Sequence, residues 1–233
     1  MFDCHLHITK GLEEYDLHLN GANIIFNDIG LYNRKKEEYS SYYHSLIFDA
    51  NRNLDWYRKL IDDDKIVCLK IHNRLQKIRP SGYGELLNKL NELNRNIPII
   101  YDAFYYGANL DCQPNLAFLI KMIQNFPKRK FIIAHAGGYK ILEYFFHLRD
   151  FENVGYDLSF SLQYLSDSSC RTDLKKLIKY TNPELLFYGS DYPKASPDKQ
   201  LNILYEICDE LELGSSTFNG ICKNNWLKFL GLH

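Results

Sequence analysis

Eight short apolar runs, each bounded by turn residues, recur along this chain, and that rhythm limits its fold more than any other feature. They are MFDCHLH (1–7), ANIIFND (22–28), HSLIFDA (44–50), KIVCLKIH (65–72), IPIIYDA (97–103), KFIIAHAGG (130–138), VGYDLSF (154–160) and ELLFYGSD (184–191). Their length and flanking turn residues read as strands. The later intervals carry helical patterns. GELLNKLNELNR places Leu86, Leu87, Leu90 and Leu93 on one stripe, and NLAFLIKMIQNF, YKILEYFFHLRD and TDLKKLIKYT behave alike. SPDKQLNILYEICDELEL opens on a Ser-Pro helix start, and STFNGICKNNWLKFLGL reads as a closing helix. GLEEYDLHLNG and GLYNRKKEEYSSYY predict short or irregular helices.

Strand and helix alternating in this way imply parallel strands joined by right-handed crossovers. Eight strands close a (β/α)8 barrel, usually about 250 residues long. The 233 residues here predict an α/β fold, a compact (β/α)8 TIM barrel. An open doubly wound sheet is the rival, but no G-x-G-x-x-G follows any run. No Pro/Gly/Ser-rich linker interrupts the pattern, so one domain is expected over residues 1–233.

Bulk charge narrows the partners. The 28 basic and 29 acidic residues are interleaved, with a net charge of −1. No basic block points to nucleic acid or an anionic membrane. No run has the length of a membrane span, and the N-terminus lacks the basic-then-apolar pattern of a signal peptide. Cys4, Cys68, Cys112, Cys170, Cys208 and Cys222 form no C-x-x-C pair and no disulfide-like spacing. A reducing cytoplasm is the expected setting, and a small molecule the expected partner. The 15% aromatic content would suit a homodimer.

Barrel geometry then sorts the polar residues. Working sites sit at the C-terminal ends of barrel strands, and side chains alternate in and out. His5 and His7 share the inward face of strand one, and Lys70 and His72 that of strand four. Asp102 closes strand five, His135 closes strand six, and Asp191 closes strand eight. Asp157 and Ser159 share a face of strand seven. Singly, each has an ordinary reading. Asp28, Asp49 and Asp157 read as turn or cap residues, and Lys70 as a side chain that snorkels to the rim. Taken together, His5, His7, His135 and Asp191 fall at one end of one barrel. Unpartnered burial of so many polar groups would cost several kcal/mol, and a metal with water would satisfy them.

FDCHLH resembles the first-strand H-x-H of the amidohydrolase superfamily. FIIAHAGG is similar to its sixth-strand histidine segment, LLFYGSDYP to its eighth-strand G-S-D-x-P, LKIHNRLQ to a fourth-strand segment, and KNNWLKFLGL to its closing helix. The resemblance spans nearly the whole chain and is nearest the amidohydrolase-related branch. That branch includes aminocarboxymuconate-semialdehyde decarboxylase-like and 2-pyrone-4,6-dicarboxylate lactonase-like proteins, and small members from bacterial polysaccharide gene clusters. It implies that His5, His7 and Asp191 are metal ligands, with Asp191 also the general base. It implies that His135 holds water or polarises substrate. Asp102 stands where the family has a histidine. As a carboxylate it can also ligate, but two-metal members use that histidine to hold the second ion, so the resemblance implies one divalent metal, zinc or alternatively manganese, rather than two. Zinc in such a site lowers the pKa of its water to about 7.

The expected activity is therefore a metal-dependent hydrolase of a small, anionic or sugar-derived ester, lactone or amide. Lys70, His72 and Arg74 would bind the negative charge of the substrate. A non-oxidative decarboxylase and a degenerate ligand-binding barrel are the alternatives. No G-x-S-x-G elbow supports a serine nucleophile, and the two glycines of AHAGG read as a tight turn.

Overall fold

The computed structural model describes residues 1–8, 21–62 and 66–232. All eight runs form strands: β1 Phe2–Leu6, β2 Gly21–Phe26, β3 Tyr43–Ile47, β4 Ile66–Ile71, β5 Ile99–Asp102, β6 Phe131–Ala134, β7 Val154–Asp157 and β8 Leu186–Phe187. Every neighbouring pair is parallel, in the order β1 to β8. The seam between β8 and β1 is made by residues just past β8. Cys4 N–H donates to the Tyr188 carbonyl (3.0 Å), Asp191 N–H to the His5 carbonyl (2.7 Å), and His7 N–H to the Tyr192 carbonyl (3.0 Å). With surrounding helices, this is the compact (β/α)8 barrel.

Period-two alternation divides each strand between two cores. Ile24, Leu69, Tyr101, Ile133 and Leu186 pack outward against the helices. Ile25, Cys68, Ile100, Ile132 and Phe187 fill the barrel with Phe2, Cys4 and Trp226. Trp226 stacks on Phe2 with ring centroids 5.0 Å apart and plugs the N-terminal end. Gly155 belongs to this packing, because a Cβ there would run into the Phe187 ring. Lys70, Asp102 and Asp157 follow Cys68, Ile100 and Gly155 by two residues. They thus share the inward parity, one layer nearer the C-terminal mouth. In β1 the register shifts between Asp3 and Leu6, which turns both Cys4 and His5 inward. The Asp3 carboxylate accepts the N–H groups of His5 (2.9 Å) and Ser190 (3.0 Å) at that irregularity.

Helices fall where the amphipathic patterns lie: Tyr83–Glu92, Leu116–Asn125, Ile141–Leu148, Cys170–Tyr180 and Pro197–Glu210. Ser196 caps the last of these, accepting from Lys199 N–H at 3.5 Å. GLYNRKKEEYSSYY gives the short helix Ile29–Lys35, and a further helix, Leu54–Asp62, precedes β4. The region expected to be helical near GLEEYDLHLNG lies outside the described residues, apart from Gly21 at the start of β2. The closing segment departs from the single helix read from its sequence. It is Ser215–Asn219, a π-helical turn Gly220–Asn224, and Asn225–Leu230. The Asn225 amide donates to the carbonyls of Pro183 (2.7 Å) and Leu186 (3.2 Å). A Cβ at Gly220 would stand 2.9 Å from Asn225 Oδ1, so the widened turn makes room for this anchor. Among the described residues no helix is long and apolar enough to cross a membrane.

Candidate functional site

A cavity of about 290 Å³ opens at the C-terminal mouth of the barrel. All eight residues expected at the site are there or directly below. His7, Lys70, His72, Arg74, Asp102, His135 and Asp191 line the cavity, and His5 lies beneath them with no exposed surface.

Two clusters make up its floor. In the first, His5 Nε2 and His7 Nε2 lie 3.1 Å apart, and Asp191 Oδ1 lies 3.7 Å and 3.3 Å from them. The other ring nitrogens are committed. His7 Nδ1 donates to the Ile25 carbonyl at 2.8 Å, and His5 Nδ1 faces the Asp157 carboxylate. Each Nε2 therefore turns a lone pair toward the same point as Asp191. Burial, and for His5 the neighbouring Lys70, holds both imidazoles below their ordinary pKa, well below it for His5. They are neutral, and no donor reaches the buried Asp191 Oδ1. An electron-rich convergence with an orphaned carboxylate oxygen fits a divalent cation. Ligand atoms of His5, His135 and Asp191 also lie within 4.8 Å of one another. Burial works against ionising Asp191, yet the contacts with His7, His135 and His5 keep its pKa below the usual carboxylate range.

Asp102 centres the second cluster. Its Oδ1 accepts from Arg74 Nη2 at 3.0 Å, and its Oδ2 lies 3.4 Å from His72 Nε2, 3.6 Å from His135 Nε2 and 3.8 Å from Lys70 Nζ. Despite burial, these partners hold Asp102 well below the usual carboxylate range. His72 Nδ1 accepts Leu75 N–H at 3.4 Å, which leaves its proton on Nε2 facing Asp102, and burial lowers its pKa to about 3. Both oxygens of Asp102 are thus engaged by cations and N–H groups, a setting unlike that of the free oxygen on Asp191.

Lys70 joins the clusters. Its Nζ is 3.3 Å from His5 Nε2. It does not snorkel, being 1% exposed, and burial lowers its pKa. His135 is the other bridge. Burial alone would lower its pKa, but Asp102, Asp191 and Asp157 outweigh that and raise it. Its Nδ1 faces the Ser159 carbonyl and hydroxyl, both at 3.1 Å.

Strained backbone delivers two of these residues. His135 (φ 60°) and Asp191 (φ 56°) both sit in the left-handed region, where non-glycine residues are uncommon. The turn read in AHAGG is there, with Gly137 at φ 90° and Gly138 at φ 60°. A Cβ on Gly138 would stand 2.9 Å from the Phe104 ring.

Sequence reasoning missed the cavity's aromatic wall. Phe104, Tyr106, Phe160 and Tyr164 line it. Phe160 holds φ 60° and ψ −46°, stacks on Tyr164 at 4.9 Å, and meets Phe104 edge-on at 5.1 Å. Tyr106 carries the Arg74 guanidinium 3.7 Å above its ring. The turn readings held for Asp28, which caps Ile29–Lys35, and for Asp49, which accepts from Asn51 N–H at 3.0 Å. Asp157 accepts Ser159 N–H at 2.8 Å in the same manner, but it is also the partner of His5.

Residues 49–232 match the family described as Amidohydrolase. No curated protein matches the sequence. The fold is similar to a probable 2-pyrone-4,6-dicarboxylic acid hydrolase from Acinetobacter baumannii, with TM-score 0.68, 12% identity and 99% of both chains covered. It is similar to 5-carboxyvanillate decarboxylase from Sphingomonas paucimobilis, with TM-score 0.65, 8% identity and coverage of 97% and 84%. It is also similar to 2,6-dihydroxybenzoate decarboxylase from Rhizobium, with TM-score 0.62, 10% identity and coverage of 99% and 97%.

Proposed function

This chain belongs to the amidohydrolase family, and on that premise we propose that it is a metal-dependent hydrolase of a small anionic ester, lactone or amide. The observation that carries this reading is the meeting of His5 Nε2, His7 Nε2 and Asp191 Oδ1 within 3.1–3.7 Å, with both Nδ1 atoms committed elsewhere. A divalent cation held by these three, zinc or alternatively manganese, supplies Lewis acidity and a water acidic enough to react near neutral pH.

The chain's own residues do the rest. Asp191 is ionised and takes the proton of the attacking water as general base. His135, whose pKa the surrounding carboxylates raise against burial, donates Nδ1–H to Ser159 and in its protonated form turns Nε2–H to the cavity, where it polarises the substrate carbonyl. Lys70, His72 and Arg74 receive the anion. Arg74 supports this most directly, because its buried Nε and Nη1 have no partner while Nη2 is spent on Asp102. With that oxygen given to Arg74, Asp102 acts as the anchor of the anion-binding wall rather than as a fourth metal ligand. All six cysteines are free thiols, which suits a reducing compartment such as the cytoplasm.

The test is metal analysis of protein purified without chelators, followed by a panel of small anionic lactones, esters and amides. Near-stoichiometric zinc or manganese, and hydrolysis that chelation abolishes, are the expected results. Less than a tenth of an equivalent, with no gain on adding either metal, refutes the metal role. The same unpaired Arg74 groups would also seat a carboxylate for non-oxidative decarboxylation. Carbon dioxide release from aromatic acids separates that reading from hydrolysis.

A further inference from the structure

Asp157 lies on β7, 1% exposed, and meets no surface of the cavity. Its Oδ2 faces His5 Nδ1 and accepts the Ser159 hydroxyl at 2.8 Å, while its Oδ1 accepts the Ser159 N–H at 2.8 Å. Cys4 is its buried neighbour, and burial together with the Asp157 charge pushes the Cys4 thiol pKa up. Once the Ser159 hydroxyl has given its proton to Asp157, its oxygen can only accept from His135 Nδ1, 3.1 Å away. One carboxylate thus reaches two histidines on different strands, His5 directly and His135 through one hydroxyl.

We propose that Asp157 is a positioning residue that fixes the tautomer of His5, keeping its Nε2 lone pair aimed at the metal position, and that through the Ser159 hydroxyl it also supports the Nδ1 proton of His135. It rests on the preceding reading that His5 faces a cation. A carboxylate can only accept, so His5 must carry its proton on Nδ1 and leave Nε2 bare. Lys70 Nζ, donating to His5 Nε2 at 3.3 Å, agrees with that assignment. Packing holds the group in place. A Cβ on Gly189 would stand 2.8 Å from Asp157 Oδ1, 2.8 Å from His5 Cβ and 3.0 Å from Ser159 Cβ. The glycine two residues before Asp191 is therefore where this cluster presses against the segment that follows β8.

The experiment reads the tautomers themselves. Long-range ¹H–¹⁵N correlation spectra of histidine-labelled, metal-stripped protein should show both His5 and His135 protonated at Nδ1. Asp157→Asn can offer an N–H in place of an acceptor, so His5 should lose its single tautomer. Zinc affinity, measured by competition with a chromophoric chelator, should fall about 10–100-fold. Ser159→Ala should disturb the His135 signals and leave those of His5 in place. A wild-type His5 protonated at Nε2 overturns the proposal, and this holds even where Asp157→Asn does not fold. So does an Asp157→Asn protein with unchanged His5 signals and zinc affinity. If the tautomers are as stated but wild-type protein takes up no zinc, the metal reading falls and the positioning role of Asp157 stands.

Discussion

The His5 and His7 rings face each other through nitrogens 3.1 Å apart that both carry lone pairs. Two neutral acceptors gain nothing from such a distance, and the Asp191 carboxylate adds negative charge beside them. A shared cation turns this local repulsion into attraction.

Replacing Asp191 by Asn keeps the shape and removes both the ligand charge and the proton acceptor. Hydrolytic kcat/KM should fall by about 10²–10⁴-fold. Steady-state kinetics with added zinc checks it. Activity within threefold of wild type would remove Asp191 from the chemistry and favour the ligand-binding alternative.

Lys70→Met separates two roles for the buried amine. The Lys70 charge lies 3.3 Å from His5 Nε2 and opposes a cation there. The variant should bind zinc at least as tightly as wild type while KM for an anionic substrate rises. Its stability should drop by about 1–3 kcal/mol, because Asp102 loses one partner but keeps Arg74. Weaker zinc binding would instead make Lys70 a metal ligand.

Arg74→Lys retains the charge but not the fork or the stacking on Tyr106. KM for a carboxylate substrate should rise about tenfold, equivalent to about 1.4 kcal/mol, with kcat changed less. An equal loss in kcat and kcat/KM would place Arg74 in transition-state binding.

Acid should destabilise the metal-free protein through its buried neutral histidines. The pKa of His72 falls from its ordinary value to about 3 on folding, so between these values the unfolded chain binds the extra proton. Its contribution is present above about pH 6.5 and is lost as pH falls toward 3. His5 and His7 shift the same way; His135 shifts upward and contributes in the opposite sense, losing stabilisation as pH rises. Urea unfolding at pH 7, 5.5 and 4.5 should show declining stability, by up to about 1.4 kcal/mol per pH unit for each such group. His72→Asn should flatten that slope. An unchanged slope would mean that His72 titrates alike in both states.

Much of this was legible because it repeats. The apolar runs gave eight strands, and inward parity gave His5, His7, Lys70 and Asp102 together with their end of the barrel. What escaped has no period. Asp157 hides behind an ordinary turn hydrogen bond to Ser159, and only the closing of the barrel, with β8 between β7 and β1, brings it to His5. Phe160 and Phe104 meet through loops after different strands, and the backbone of Phe160 is of a kind no local propensity favours. The π-helical turn at Gly220–Asn224 answers to Asn225, whose partners lie about forty residues earlier.

The hydrogen bond from Asp191 N–H to the His5 carbonyl also orders events in time. Two proposed ligands flank the joint where the last strand meets the first. A nascent chain still short of residue 186 has seven strands and no way to bring these ligands together. Capture of the ion would therefore register that the ring has shut, and a chelating dye could time the final step of folding without a fluorophore on the protein.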